Sequence, residues 1–245
     1  SYIPLARSTS FQQRPGEFDE VASLLFASET ESASPQNHVV GLIGMGGIGK
    51  TQLAIEIAYE YKERFPAGVF WMAATGTSLS EWQHQFAELA ANTEYLPAGD
   101  DVSHPENEAR RARHLARYLA HYPDALLLLD NVEHIAHLLD ALTTLAGAEV
   151  HCTILYTSRT DVAPALVRHY RVSKLPDDMA LRLLLKRRPA LLEQILANGH
   201  NQEAKAAHDI CHYVECLPLA LTLLRDLLQD TNLTLVYLDQ QLRQR

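Results

Sequence analysis

Gly44-Met45-Gly46-Gly47-Ile48-Gly49-Lys50-Thr51 fits the phosphate-binding pattern G-x-x-x-x-G-K-[ST]. An apolar run at residues 38–43 precedes it and predicts a buried strand, and residues 51–58 follow it with the periodicity of a helix. In this context the glycines allow backbone N–H groups to turn towards phosphate oxygens, and the N-terminus of the helix adds partial positive charge. The alternative, a glycine-rich turn without a ligand, is disfavoured by these flanks. The sequence therefore predicts a phosphate loop.

The side chains at the end of this loop predict how a nucleotide would be held. We expect Lys50 to reach the β- and γ-phosphates and the Thr51 hydroxyl to ligate Mg²⁺. The predicted binding residues of the loop are Gly44, Gly46, Gly47, Ile48, Gly49, Lys50, Thr51 and Gln52.

The order of apolar runs predicts an α/β fold, a P-loop NTPase parallel sheet flanked by helices and followed by a small all-α domain. After Pro176 leucine-rich helical stretches replace the alternation of strands and helices. We expect a nucleotide-binding domain at 1–172, with an entry segment at 1–37, and a helical domain at 173–245. The predicted strands are 38–43, 68–72, 125–129 and 150–156, and the predicted helices of the first domain are 16–27, 50–64, 78–92, 106–121 and 132–145.

A second acidic element follows the third apolar strand. Asp130 ends the run Ala125-Leu126-Leu127-Leu128-Leu129-Asp130, and ligands of open α/β sheets bind at the carboxyl ends of the strands. This position predicts that Asp130 orients Mg²⁺. The alternative is an aspartate that caps a helix starting near Val132.

The general base is left open by the sequence. Asn131 follows Asp130, and an amide does not accept a proton from water at neutral pH. Glu133 is the nearest other carboxylate, and it is equally well interpreted as a base or as a first-turn acid favoured by the helix dipole. We therefore predict slow hydrolysis.

Arg159 follows the last apolar strand, in Thr157-Ser158-Arg159. Its guanidinium would lie at the same edge of the sheet as Asp130, where it could contact the γ-phosphate and distinguish a triphosphate from a diphosphate. The alternative is a surface arginine in a loop. We predict catalytic roles for Lys50, Asp130, Glu133 and Arg159.

The bulk properties restrict the class of protein. The chain has 245 residues and a net charge of −9, which argues against a general nucleic-acid-binding face. No apolar run reaches the length of a membrane helix, and no secretory signal opens the chain. The 3 cysteines have no framework spacing, which predicts free thiols in the cytoplasm. His208, His212 and Cys216 have i, i+4, i+8 spacing, but we expect poor metal geometry because Cys216 would lie at a helix end.

Several motifs together resemble the NB-ARC subgroup of STAND P-loop ATPases, above all bacterial members with tetratricopeptide repeats. The phosphate loop is close to the form of that subgroup, and Gly68-Val69-Phe70-Trp71 matches its second strand. Leu128-Leu129-Asp130-Asn131 is similar to its second acidic motif, Thr157-Ser158-Arg159 to its sensor motif, and Cys216-Leu217-Pro218-Leu219-Ala220 to its G-L-P-L-A motif, with Cys216 in place of the usual glycine. Residues 11–17 resemble a degraded entry motif that keeps Arg14.

This resemblance implies an adenine nucleotide, ATP or ADP with Mg²⁺, bound between the sheet and the helical unit. Pro218 would pack near the adenine beside Leu219, and the backbone around Arg14 would line the base. The resemblance also implies a signalling switch with an ADP-bound resting state, ATP-dependent self-association, and effector and sensor domains outside this segment. The alternative is an interaction module that holds ADP without hydrolysing it; neither the lid and acceptor base of a small-molecule kinase nor the N-K-x-D motif of a GTPase is found.

Overall fold

A computed structural model describes residues 2–26, 39–93, 105–160, 167–197, 201–230 and 233–244. The contacts divide the chain into two compact units, which are described separately below. The first, called the sheet unit, comprises residues 1–8, 16–44 and 50–171. The second, called the helical unit, comprises residues 9–15, 45–49 and 172–245, so that the middle of the phosphate loop groups with the C-terminal part of the chain.

The sheet unit is built around parallel strands in the order β2-β3-β4-β1-β5. Residue Tyr2 pairs with β2 through its backbone, from its N–H to the Val69 carbonyl at 2.7 Å. The strands are β1 (Val39–Ile43), β2 (Gly68–Ala73), β3 (Ala125–Asp130), β4 (Thr153–Ser158) and β5 (Arg168–Arg171). The helices are α1 (Glu17–Phe26), α2 (Lys50–Glu60), α3 (Leu79–Ala91), α4 (Pro105–His121) and α5 (Ile135–Ala146), and a 3₁₀ turn spans Lys62–Arg64.

Burial explains why the central strands read as continuous apolar runs. Every residue of β1 and β4, and all of β3 except Asp130, is buried. A parallel sheet covered on both faces requires apolar side chains at successive positions rather than alternate ones. Strand β4 lies between β1 and β3, so the carboxyl ends of these three parallel strands lie together at one edge of the sheet. The residues that follow them in the sequence therefore come to the same edge.

The helical unit has its own leucine-rich core. Residues Leu181, Leu184, Ile210, Leu221 and Leu235 are each 2% exposed or less. Burial of such side chains contributes about 1.5–3 kcal/mol each before conformational entropy is subtracted. The helices of this unit are α6 (Asp177–Leu184), α7 (Pro189–Ala197), α8 (Gln202–Tyr213), α9 (Pro218–Asp230) and α10 (Leu235–Arg243).

The α/β prediction is confirmed, although the bounds of several elements differ: β4 spans Thr153–Ser158 rather than 150–156, and α2 ends at Glu60 rather than at 64. The sequence analysis missed β5, whose residues Arg168-His169-Tyr170-Arg171 carry no apolar pattern because β5 is a short strand at the edge of the sheet. Helix α5 begins at Ile135 rather than near Val132, for a reason given below. In the described ranges, none of the helices combines the length and the hydropathy needed to cross a membrane.

Candidate nucleotide-binding site

The phosphate loop leaves β1 at Gly44, whose N–H donates to the Ser158 carbonyl at 3.2 Å. Gly47 and Gly49 have φ values of +77° and +100°, in the region that other residues rarely adopt. Lys50 then begins α2. The glycines are therefore needed for the loop to turn into the start of the helix.

Lys50 is the buried cation of the site. It is 8% exposed, and its Nζ donates to the Gly44 carbonyl at 2.8 Å. Burial lowers the pKa of the ammonium, the Arg159 guanidinium lowers this pKa further, and the Asp130 carboxylate opposes the shift. An ammonium whose charge is disfavoured in this way is stabilised when an anion binds beside it.

Arg159 directly follows Ser158, the last residue of β4, and it is exposed. Its charge nevertheless acts on Lys50, as the lowered pKa of that ammonium indicates. The end of β4 therefore adds positive charge to the edge of the sheet where the phosphate loop begins.

Asp130, the last residue of β3, is hydrogen-bonded both to the end of the phosphate loop and to β4. Its Oδ1 accepts hydrogen bonds from the Thr51 hydroxyl at 2.6 Å and from the Thr157 hydroxyl at 2.7 Å. It does not cap α5, since that helix begins five residues later and its N-cap position is His134. Carboxylate and hydroxyl oxygens are the hard ligands that Mg²⁺ prefers, so Thr51 and Asp130 fit a Mg²⁺ site. Thr157 received no role in the sequence analysis, although its place at the end of β4 was a signal.

The segment after β3 is tied to β4. Asn131 has a φ of +62° and donates its N–H to the Thr157 hydroxyl at 2.9 Å, while the Val132 N–H donates to the Thr157 carbonyl at 2.8 Å. These bonds keep the segment out of the helix, which explains the late start of α5. Glu133 is consequently an exposed residue in a bend, and the interpretation as a first-turn helix acid is wrong.

Within the helical unit, three predicted ligand residues lie against the phosphate loop. Arg14 is buried, and its Nη2 donates to the Ile48 carbonyl at 2.8 Å. The Leu219 N–H donates to the Gly47 carbonyl at 3.1 Å. Pro218 is also near the loop, since a Cβ atom built onto Gly49 would lie 3.8 Å from Cγ of Pro218. The start of α9 and the entry segment therefore both contact the backbone of the glycine loop.

The side chain of Gln52 is hydrogen-bonded within α2 and not to the phosphate loop. Its amide donates to the Glu56 carboxylate at 3.0 Å. Glu56 is 3% exposed and also accepts from the Ser8 N–H at 2.9 Å and from Nε of Arg7 at 2.7 Å. Any contribution of Gln52 to a phosphate would therefore come from its backbone N–H. An acid among the apolar positions of α2 was the sequence signal for this missed network.

The entry segment is also anchored by side chains that the sequence analysis did not single out. Arg225 of α9 is 6% exposed and donates to the Ser10 hydroxyl at 2.9 Å. Lys186 donates to the Thr9 carbonyl. A lone arginine within the apolar pattern of α9 was a signal that a buried partner would be found.

The fold and the glycine loop define the class of this protein, a P-loop NTPase fold with an attached helical unit. The NB-ARC domain model matches residues 16–188, and the chain belongs to the NB-ARC family.

Regulatory proteins are among its relatives. A protein described as an HTH-type transcriptional regulator of Mycobacterium tuberculosis is 31% identical over 194 residues, which are 76% of this chain and 20% of that protein. The regulatory protein AfsR of Streptomyces coelicolor is 28% identical over 218 residues, which are 88% of this chain and 20% of that protein. The chain thus spans about a fifth of the length of these relatives.

A solved structure has the same fold. It is a signal transduction ATPase with numerous domains (STAND) protein with a tetratricopeptide repeat sensor, from Pyrococcus horikoshii, with a TM-score of 0.50 and 14% identity. The match covers 90% of this chain and 30% of that one. At this identity the likeness concerns the fold alone.

Proposed function

We propose that this chain is the ATP- and ADP-binding switch of a larger STAND regulator. The observation that carries the proposal is the arrangement around Lys50, a buried ammonium at the start of α2 that is hydrogen-bonded to the glycine loop and whose pKa is lowered by the Arg159 charge. Such a site favours a polyanion, and the neighbouring hydroxyl and carboxylate of Thr51 and Asp130 favour a nucleotide bound with Mg²⁺. Membership in the NB-ARC family supports an adenine nucleotide.

Each residue has a distinct task in this proposal. Lys50 exchanges its bond to the Gly44 carbonyl for bonds to the β- and γ-phosphates. Thr51 and Asp130 hold Mg²⁺, which neutralises phosphate charge when bound. Arg159 contacts the γ-phosphate and so responds to the difference between ATP and ADP. The exposure of Arg159 supports this task because an exposed guanidinium can move without breaking a buried contact.

The base of the nucleotide is the less constrained part of the proposal. We assign its lining to the backbone around Arg14 and to Pro218 and Leu219, and their contacts with the loop support this assignment. A proline ring offers an apolar surface and no competing donor. We also propose a domain boundary near residue 172, as the division of contacts there supports.

Hydrolysis in this proposal is slow. Asn131 cannot accept a proton, and Glu133 is exposed in a bend, where a carboxylate is not held in one orientation. ADP would hold the resting state, and ATP would promote association with other copies of the chain. Effector and sensor domains outside this segment would give the output, in defence, cell death or transcription. In this proposal the protein acts in the cytoplasm, and this segment binds neither membrane nor nucleic acid directly.

The test measures nucleotide content, turnover and association on the same preparation. We expect the purified chain to release ADP on denaturation and to hydrolyse ATP slowly with Mg²⁺. Asp130→Asn should abolish the turnover, and Glu133→Gln should lower it if this carboxylate is the base. Light scattering should detect larger species with a nonhydrolysable ATP analogue than with ADP.

The outcomes separate the switch from its alternative. Bound ADP with phosphate release equal in wild type and Asp130→Asn would favour a module that holds ADP without hydrolysis. Absence of binding at saturating ADP and Mg²⁺ would refute both. Glu63→Gln, at an exposed carboxylate of the 3₁₀ turn, is the matched control for these carboxylate substitutions, and Lys62→Met, at an exposed lysine of the same turn, is the control for a substitution of Lys50.

A further inference from the structure

Three side chains of the helical unit converge away from the phosphate loop. Asp177 is the first residue of α6, His212 lies in the last turn of α8, and Cys216 lies in the turn between α8 and α9. One potential ligand atom from each lies within 4.8 Å of the other two. We propose that these residues form a binding site for a borderline-soft divalent metal ion, of which Zn²⁺ is the natural occupant.

Two distances to the Asp177 carboxylate, one to each of its oxygens, are close to the ligand separations of a tetrahedral centre. Cys216 Sγ lies 3.6 Å from Asp177 Oδ1, and His212 Nε2 lies 3.6 Å from Asp177 Oδ2. Ligands of tetrahedral zinc, at about 2.3 Å for sulfur and about 2.0 Å for nitrogen and oxygen, are separated by roughly 3.3–3.5 Å from one another. Small rotations of two exposed side chains would therefore complete the coordination, with water as the fourth ligand.

The ligand set matches this metal in chemistry and charge. Thiolate, imidazole and carboxylate are the three ligand types of protein zinc sites. Binding forms a metal–sulfur bond, and the thiol proton of Cys216 leaves to solvent, with no change of oxidation state. The bound thiolate and carboxylate together balance the charge of a dication. The nearby Lys174 ammonium is paired with the Glu215 carboxylate, which reduces its repulsion of the metal.

The backbone of the turn determines where the Cys216 side chain lies. Glu215 and Cys216 have φ values of +54° and +53°, and two consecutive residues other than glycine in this region are unfavourable. A glycine at position 216 would adopt the same conformation without this cost. In this conformation Cys216 Sγ lies beside Asp177, and the Cys216 N–H donates to the Cys211 carbonyl at 2.8 Å.

The structure agrees with the sequence analysis that His208, His212 and Cys216 are poorly placed to share a metal on one helix face. Cys216 lies beyond the end of α8, and Asp177 of another helix, not His208, lies with His212 and Cys216. His208 is therefore the matched control, since it is an exposed histidine of the same helix, one turn before His212.

The test uses the nucleotide-free chain, so that it is independent of the proposed function. Zn²⁺ is titrated against a chromophoric chelator, and Co²⁺ is used separately as a probe whose thiolate charge-transfer absorption reports coordination by sulfur. We expect one metal per wild-type chain. Cys216→Ser, His212→Asn and Asp177→Asn should each weaken binding by roughly tenfold or more, since loss of even an outer-shell partner of a metal ligand has an effect of that size. His208→Asn should bind like wild type.

Two outcomes would overturn the proposal. One is wild-type binding that none of the three ligand substitutions weakens. The other is a Co²⁺ complex that lacks thiolate absorption. Asp177 and His212 are exposed, so their variants keep the test valid even if Cys216→Ser impairs folding.

Discussion

Replacing Lys50 by methionine separates the ligand-binding role of this residue from its role in the fold. In the ligand-free chain the ammonium is buried, and burial and Arg159 both lower its pKa, so its charge is disfavoured. Methionine has a similar length and no charge, and it cannot donate to the Gly44 carbonyl as the ammonium does. We therefore expect the ligand-free variant to melt at or above the wild-type temperature.

The nucleotide-bound variant should behave in the opposite way. A hydrogen bond to a charged group contributes about 1.5–3 kcal/mol, so the dissociation constant for ADP should rise roughly 10- to 150-fold. At ADP concentrations 100 times the wild-type dissociation constant, binding stabilises wild type by about 2.7 kcal/mol. A 30-fold weaker variant would gain only about 0.9 kcal/mol at the same concentration.

Thermal unfolding with and without ADP and Mg²⁺ measures this difference. For a chain of this size, about 2–4 °C per kcal/mol gives a shift of roughly 5–10 °C for wild type and roughly 2–3 °C for Lys50→Met. Lys62→Met should retain the wild-type shift. Equal shifts in wild type and Lys50→Met would refute the assignment of Lys50 to the phosphates. Melting of the ligand-free variant well below wild type would refute the claim that the buried charge of Lys50 destabilises the ligand-free chain.

Three further predictions concern other residues. Arg159→Gln should weaken the binding of ATP more than that of ADP, by about tenfold or more, because the guanidinium is assigned to the γ-phosphate. Competition with a fluorescent nucleotide measures the ratio of the two affinities, and an unchanged ratio would contradict that assignment. Burial raises the pKa of the Cys152 thiol to about 12, so from about pH 8.5 upwards the unfolded chain loses a proton that the folded chain keeps, and stability falls as pH rises. Cys152→Ala should make that fall shallower by about 1.4 kcal/mol per pH unit in denaturant titrations, and an unaltered slope would count against the burial of this thiol. Gly47→Ala should lower the unfolding free energy by about 1–2 kcal/mol because φ is positive there, whereas Gly46→Ala, a glycine outside that region, should have a smaller effect.

The parts of the fold that the sequence predicts well are those with a continuous apolar signal. Strands β1, β3 and β4 were found because burial on both faces demands uninterrupted apolar residues. Strand β5 has no such signal, since its residues are only partly buried or exposed and its pairing partner is β1, far away in the sequence. Its position depends on a backbone pairing that no local pattern encodes.

The candidate site shows the same limit. The proximity of Thr51 and Asp130 follows from two motifs at the same edge of the sheet, after β1 and β3, and it was expected. The turn at Asn131, which delays α5, depends on hydrogen bonds to Thr157, a residue far along the chain. The engagement of the Gln52 side chain by Glu56 was equally hidden, because a helical spacing does not reveal that Arg7 and Ser8 would join the same carboxylate.

The hydrogen bond from Leu219 to Gly47 has a consequence for helix α9 itself. The first N–H groups of a helix have no partner within it, and here the carbonyl of a glycine serves one of them in place of a capping side chain. The phosphate loop is in this sense the N-cap of α9. A rearrangement of the loop that withdraws the Gly47 carbonyl would cost the helix about 1 kcal/mol and allow its first turn to fray. Hydrogen exchange at the Leu219 amide would therefore report the conformation of the loop.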